Sequence, residues 1–177
     1  MPDSAQLPDG LAQQRHSDLE RRGRDVWVHR VFMTLIAAIA VLALLNVFGQ
    51  RASTTTTNAS AASLSVRAPK RLRGGLLYQA RFTIKAHRPI NNLVLVLSRG
   101  WFDGLTNNTI EPAAGSEASL NGNVSLSYAQ VGAGQRFVVY SEWQVNPTTV
   151  THRDLDADIY DGGDHLAHVH RTLTVFF

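Results

Sequence analysis

Two hydrophobic patterns divide the chain. From Val31 to Phe48 the sequence VFMTLIAAIAVLALLNVF runs without a charged residue, and Val26, Trp27 and Val28 extend it on the amino-terminal side. Helix over that run rises about 27 Å, close to the hydrocarbon thickness of a bilayer, so residues 26–48 are expected to form a transmembrane signal-anchor helix. The buried helix of a soluble protein would carry a polar face over this length. Here the distinctly polar side chains are Thr34 and Asn46. A helical threonine can return its hydroxyl to the preceding turn, and Asn46 lies near an end of the run.

From Leu64 onward the period shortens to two. Leu76, Tyr78, Ala80, Phe82, Ile84 and Ala86 alternate with Leu77, Gln79, Arg81, Thr83, Lys85 and His87, which predicts a strand with one apolar face. Leu93 to Leu97 is a continuous aliphatic run, the pattern of a central strand buried on both faces. A short edge segment is expected around Thr109 to Pro112, then a flexible stretch from Ala113 to Ser119. Asn121-Gly122 between Leu120 and Val124 is a tight-turn signal, because both residues tolerate positive φ. Phe137, Val139, Ser141 and Trp143 form another inward set before Asn146-Pro147 breaks the strand. Leu155, Ala157 and Ile159 alternate with Asp154, Asp156 and Asp158, Asp161-Gly-Gly turns the chain, and Leu166 to Val175 supplies the last strand or two. The expectation is all-β: a sandwich of about seven to nine strands over residues 64–177.

The remaining segments are polar. Residues 1–25 mix acids and arginines without an apolar stripe, and are expected to be a disordered cytoplasmic tail, with Ser17 and Glu20 able to cap a short helix. Residues 49–63, GQRASTTTTNASAAS, are expected to be a flexible Ser/Thr/Ala-rich linker. Ala59-Ser60-Ala61 has the small residues of a signal-peptidase site. It lies more than ten residues past a core longer than the usual signal h-region, which favours an uncleaved anchor. Arg15, Arg21, Arg22, Arg24 and Arg30 precede the apolar run, whereas Arg51 and Arg67 are the basic residues in the twenty that follow, placing the amino terminus in the cytoplasm.

Charge sharpens this picture. Between Gln50 and Phe102 there are nine basic residues and no acid; from Asp103 the balance reverses, with nine acids against Arg136, Arg153 and Arg171. On the far side of a membrane a basic half meets anionic lipid, a wall polymer or an acidic protein face rather than nucleic acid. The chain has no cysteine, so disulfides, thiol catalysis and blue-copper sites are excluded.

The NTIEP run of residues 108–112, GNVSL of 122–126, AGQ of 133–135 before an apolar strand, and QVNP of 144–147 resemble turn and core segments of immunoglobulin-like modules in bacterial surface proteins. More narrowly, the chain resembles small single-span bacterial envelope proteins of that architecture. The resemblance runs from about Leu76 to Phe177, and implies a sandwich fold and no catalytic residues. Unlike true immunoglobulin domains the chain has no cysteine pair, so residues such as Phe82 and Trp143 must join the two sheets.

Three groups can carry function. His165, His168 and His170 follow the Asp161-Gly-Gly turn; His168 and His170, two apart on a strand, share a face, and His165 or an aspartate can complete a zinc or copper site with them; a plain polar strand face is the alternative. Asp154, Asp156 and Asp158 form a carboxylate stripe that is either a calcium site or a solvated face guarding an edge. Trp101-Phe102 sits in a glycine-bounded loop, as a lid on the core or a partner anchor. Arg67, Lys70, Arg71 and Arg73 follow the linker and are candidates to meet a partner or an anionic surface. No His-Glu-x-x-His occurs. The reading is a non-enzymatic envelope protein without a cofactor, binding another membrane protein or a surface polymer through its sandwich, with metal binding at the histidines as the alternative.

Overall fold

The computed structural model describes residues 9–45 and 50–176, and side chains from Asp25 onward within them except that of Leu120. The chain forms two compact units, Met1–Phe48 and Gly49–Phe177.

Among its described residues the first unit is a helix, α1 (Asp9–Leu44). Within it Asp25–Leu44 is apolar and long enough, by length and composition, to cross a membrane, and none of its residues is buried. Thr34 donates to the Arg30 carbonyl at 2.8 Å, the return bond expected of a hydroxyl in an apolar helix. Residues 46–48 of the expected span lie outside the described residues. The disordered tail is corrected from Asp9 onward, because those residues continue the helix. Leu, Ala, Gln, Arg and Glu are good helix formers, and an adjoining apolar helix removes the cost of nucleation. Residues 1–8 lie outside the description.

The second unit is a β-sandwich. Its strands are β1 (Ala52–Asn58), β2 (Ala62–Pro69), β3 (Arg71–Arg73), β4 (Leu77–Ala86), β5 (Leu93–Leu97), β6 (Leu105–Glu111), β7 (Ser116–Leu120), β8 (Asn123–Ser127), β9 (Arg136–Val145), β10 (Thr151–Asp154), β11 (Ala157–Asp161), β12 (Asp164–Val169) and β13 (Thr172–Phe176). They form one five-stranded sheet in the order β1-β2-β4-β9-β6, a second in the order β12-β11-β5-β8-β7, and a three-stranded sheet β10-β13-β3. β13 and β3 are parallel. The core holds Tyr78, Ala80, Phe82 and Ile84 of β4, Val139, Trp143 and Val145 of β9, Leu93, Leu95 and Leu97 of β5, and Ala157 and Ile159 of β11. Those of β4, β11 and, apart from Val145, β9 are from the alternating sets read from the sequence, although Leu76, expected inward, precedes β4 and is exposed; the leucines of β5 come from the continuous aliphatic run. Val94 and Val96 are half-buried, so β5 is central but not covered on both faces. The β7–β8 hairpin turns at Asn121 and Gly122, with φ of 54° and 80°.

Three further expectations are corrected. The linker is strand from Ala52 to Asn58, paired antiparallel with β2 from Ala52↔Pro69 to Asn58↔Ser63. Threonine has high strand propensity and the run alternates: Thr54 and Thr56 face solvent while Ser53, Thr55 and Thr57 are half-buried. Hydrophobicity alone misses such a strand, because its inward side chains are polar. Ser53 and Thr55 partner Arg171, 3% exposed, whose guanidinium donates to Ser53 O (3.0 Å), Ser53 Oγ (3.0 Å), Thr55 Oγ1 (2.9 Å), Val66 O (2.8 Å) and Ala68 O (2.6 Å). Residues 116–119 of the expected flexible stretch belong to β7, and the twelve strands β2 to β13 exceed the seven to nine expected over residues 64–177. β3 and β10, of three and four residues, are too short to show a period.

Candidate functional site

The antiparallel pairing of β11 and β12 sets Asp158 directly opposite His168 and Ala157 opposite Val169. Inward residues of one strand thus face inward residues of the other, and the outward aspartates meet the outward histidines. The two groups that the sequence presents separately become one ladder. Asp158 Oδ1 lies 2.9 Å from His165 Nε2 and 2.9 Å from His168 Nδ1. Asp156 Oδ1 lies 2.7 Å from His170 Nδ1 and 3.9 Å from His168 Nε2, and His170 Nε2 is 3.9 Å from Asp154 Oδ1. A register shift between Ile159 and Tyr160 turns His165 toward the Tyr160 ring, 5.0 Å away between centroids. The aspartates do not share a strand as expected. Asp154 ends β10 in the three-stranded sheet, and Leu155-Asp156 carries the chain across to β11.

Asp156 is held by its backbone. Its N–H donates to Ser98 Oγ at 2.9 Å, and its carbonyl accepts from Ser98 N–H and Trp101 Nε1, each at 3.0 Å. Those donors belong to the loop that opens the single 3₁₀ turn Arg99–Trp101. At Gly100 a Cβ would collide with the Asp154 carbonyl, so glycine permits this approach. Trp101 is fully buried, with ring centroids 5.2 Å from Phe82 and 5.6 Å from Trp143, and half-buried Phe102 meets Trp143 edge-on at 5.1 Å. The loop is therefore a lid on the core. Trp101 as a projecting anchor is corrected, because its ring is worth more in contact with two other aromatics than in water.

The basic candidates separate. Arg67 stands on the outer face of β2, whereas Arg71 and Arg73 belong to β3 in the three-stranded sheet; Lys70 lies between, and all four are exposed. Arg67 gains neighbours that proximity in sequence does not reveal. It pairs with Arg81 of β4, Arg81 with Tyr140 of β9, and Tyr140 with Glu111 of β6, so a single row crosses the outer face of the first sheet. Lys85 and Arg136 form a second like-charged pair. Directly opposed like charges destabilise a sheet. Among the described residues Arg67, Arg81, Lys85 and Arg136 have no ion-pair partner. Tyr140 is 40% exposed and separates two shallow depressions, one lined by Thr109, Glu111 and Glu142, the other by Ala52, Arg67 and Arg81; Gln79 touches both. The signal for this face was in the sequence, in the outward set of β4, but the strand order that aligns it was not.

Two buried tyrosines and the buried arginine titrate abnormally. Burial pushes the Tyr78 hydroxyl well above the usual tyrosine range against the opposing charges of Arg153 and Arg171. Burial, helped by Glu117, pushes Tyr128 up to about 12. Arg171 is pulled below its ordinary value by burial, an effect that Tyr78 partly offsets.

No protein-family model matches the sequence, and no curated protein matches it. Among solved structures, a non-cellulosomal cohesin from the archaeon Archaeoglobus fulgidus is similar at a TM-score of 0.40 and 12% identity, over 72% of this chain and 92% of the cohesin. CaCohA2 from Clostridium acetobutylicum is similar at 0.43 and 13%, over 67% and 92%. A β-N-acetylglucosaminidase from Vibrio harveyi is similar at 0.31 and 10%, over 71% of this chain but 18% of the enzyme. Likeness of this degree transfers neither an activity nor a partner.

Proposed function

We propose that the protein is a single-span bacterial inner-membrane protein of the small envelope type, with an exported, immunoglobulin-like β-sandwich that works by binding rather than catalysis. Asp25–Leu44 anchors it. A twenty-residue helical stretch of mean hydropathy 2.0, charge-free from Val31 onward, is satisfied by lipid, and the arginine excess before that charge-free run keeps that side cytoplasmic. The sandwich engages an acidic patch on a neighbouring membrane or envelope protein. The observation carrying this reading is the row Arg67, Arg81, Tyr140, Glu111 on the outer face of β2, β4, β9 and β6. Tyrosine and arginine are the side chains that most often dominate interfaces, and an anionic partner relieves the repulsion between Arg67 and Arg81. Glu111 and Glu142 on the far side of Tyr140 give the face a polarity that orients such a partner. Lys70 and, on β3, Arg71 and Arg73 add positive charge elsewhere on the domain, where anionic lipid or wall polymer is the competing ligand.

The anchor and orientation are tested in spheroplasts of the expressing cell. Added protease is expected to digest the sandwich and spare residues 9–25, and the chain is expected to stay with the membrane through alkaline carbonate extraction. A sandwich protected in sealed cells, or a chain released by carbonate, overturns the proposal.

A further inference from the structure

We infer that Asp156, His168 and His170 form a binding site for a divalent first-row metal ion, zinc being the best match, on the outer edge of the second sheet. This site is independent of the outer face of the first sheet. One donor atom from each of the three residues lies within 4.8 Å of the other two. Asp156 Oδ1 is 2.7 Å from His170 Nδ1 and 3.9 Å from His168 Nε2. Tetrahedral zinc, with bonds of about 2.0–2.1 Å to nitrogen and oxygen, spaces its ligand atoms about 3.3 Å apart, so the donors reach it by small side-chain rotations. Two imidazoles and one carboxylate suit zinc better than calcium or magnesium, and three protein ligands leave a fourth position for water.

The surroundings supply what such a site needs. Asp158 accepts from His168 Nδ1 at 2.9 Å, which fixes the tautomer with its lone pair on Nε2, the nitrogen nearer Asp156. That is the carboxylate–histidine arrangement that orients metal ligands. His168 and His170 lie two apart on and just beyond β12 and share its outward side. Asp156 is fixed through three backbone bonds to Ser98 and Trp101, whose ring is locked in the core. Asp154, Asp156 and Asp158 bring three carboxylates along the ladder, and among the described residues the side chains that approach them within 4.0 Å as ion-pair partners are the histidines. His165 is assigned elsewhere. It lies 2.9 Å from Asp158 Oδ1 and packs its ring against Tyr160, so of the two completions that the sequence leaves open, His165 or an aspartate, the third ligand is Asp156, the residue just before β11.

The test is equilibrium dialysis of the tag-free full-length chain in detergent micelles against zinc chloride alone, repeated with cobalt(II) to read coordination from its visible absorption. Saturable binding of one ion per chain is expected, with the intense bands of four-coordinate cobalt. Asp156→Asn, His168→Gln and His170→Gln are expected to weaken zinc binding by more than about 100-fold, and Asp158→Asn, acting through His168, by about 10–100-fold. His165→Gln is expected to change it by no more than about threefold. Each variant is compared without metal by circular dichroism, so that a folding defect is not read as lost coordination. Absence of saturable binding overturns the inference, as does binding indifferent to these substitutions or a His165→Gln loss equal to that of His170→Gln.

Discussion

Arg171→Ala should loosen the amino-terminal strand of the sandwich before it unfolds the rest. The guanidinium makes five hydrogen bonds, two to backbone or hydroxyl of Ser53, one to Thr55 Oγ1 and two to the carbonyls of Val66 and Ala68. No carboxylate pairs with it among the described residues, so these neutral acceptors alone offset the desolvation of its charge. A hydrogen bond to a charged group contributes about 1.5–3 kcal/mol, but these five share one cation and are not additive. Truncation also removes a buried charge that was costly to desolvate. The net loss is therefore expected at about 3–5 kcal/mol, a large part of the roughly 5–15 kcal/mol that holds a domain together. The loss should concentrate on β1, which has β2 as its one sheet neighbour. Hydrogen exchange on the full-length chain in micelles is the assay, read beside thermal unfolding. Amides of residues 52–58 should lose protection first, and Arg171→Lys should restore little of it, since an ammonium cannot span acceptors arranged around a planar fork. Unchanged protection of β1 together with an unchanged midpoint in Arg171→Ala would refute this reasoning.

Two other perturbations follow from the core. Trp101→Ala removes a fully buried ring from between Phe82 and Trp143 and frees the backbone of Asp156, so a loss of about 3–5 kcal/mol is expected by chemical denaturation; a loss below about 1 kcal/mol would mean that the ring is not part of the core. Stability should also fall with rising pH above about 10, where tyrosines of the unfolded chain ionise while Tyr78 and Tyr128, raised by burial, stay protonated. Each contributes a slope of about −1.4 kcal/mol per pH unit, for Tyr128 until about pH 12. Tyr78→Phe and Tyr128→Phe should each flatten the denaturation midpoint between pH 10 and 11, and an unchanged slope in both would contradict the burial of these hydroxyls.

Legibility of the sequence depended on where the information lay. Alternation named the inward faces of β4 and β9 because each strand meets the core on one side only. The Asn121-Gly122 turn was legible because its chemistry is local. β1 was not, since its inward face is Ser53, Thr55 and Thr57, and the side chain that makes burial tolerable is Arg171, more than a hundred residues away. The same limit governs the candidate sites. His168 and His170 could be placed on one face from their spacing, but Asp156 joins them because the β11–β12 pairing brings the residue just before β11 alongside them, and Arg67 faces Arg81 through strand pairing. Trp101 illustrates the converse. An aromatic in a glycine-bounded loop reads equally as lid or anchor, and the choice is made by Phe82 and Trp143 beneath it.

The central claim, that the sandwich binds a partner through the outer face of β2, β4, β9 and β6, is tested most directly by site-specific photocrosslinking in intact cells. A photoreactive phenylalanine analogue is placed at Tyr140 and, as the control, at Ser119 on β7 of the other sheet. The account predicts a discrete crosslinked membrane or envelope protein from position 140, lost when Arg67 and Arg81 are both changed to glutamate and absent from position 119. Equal crosslinking from both positions, or crosslinking from 140 that survives the double charge reversal, would contradict it.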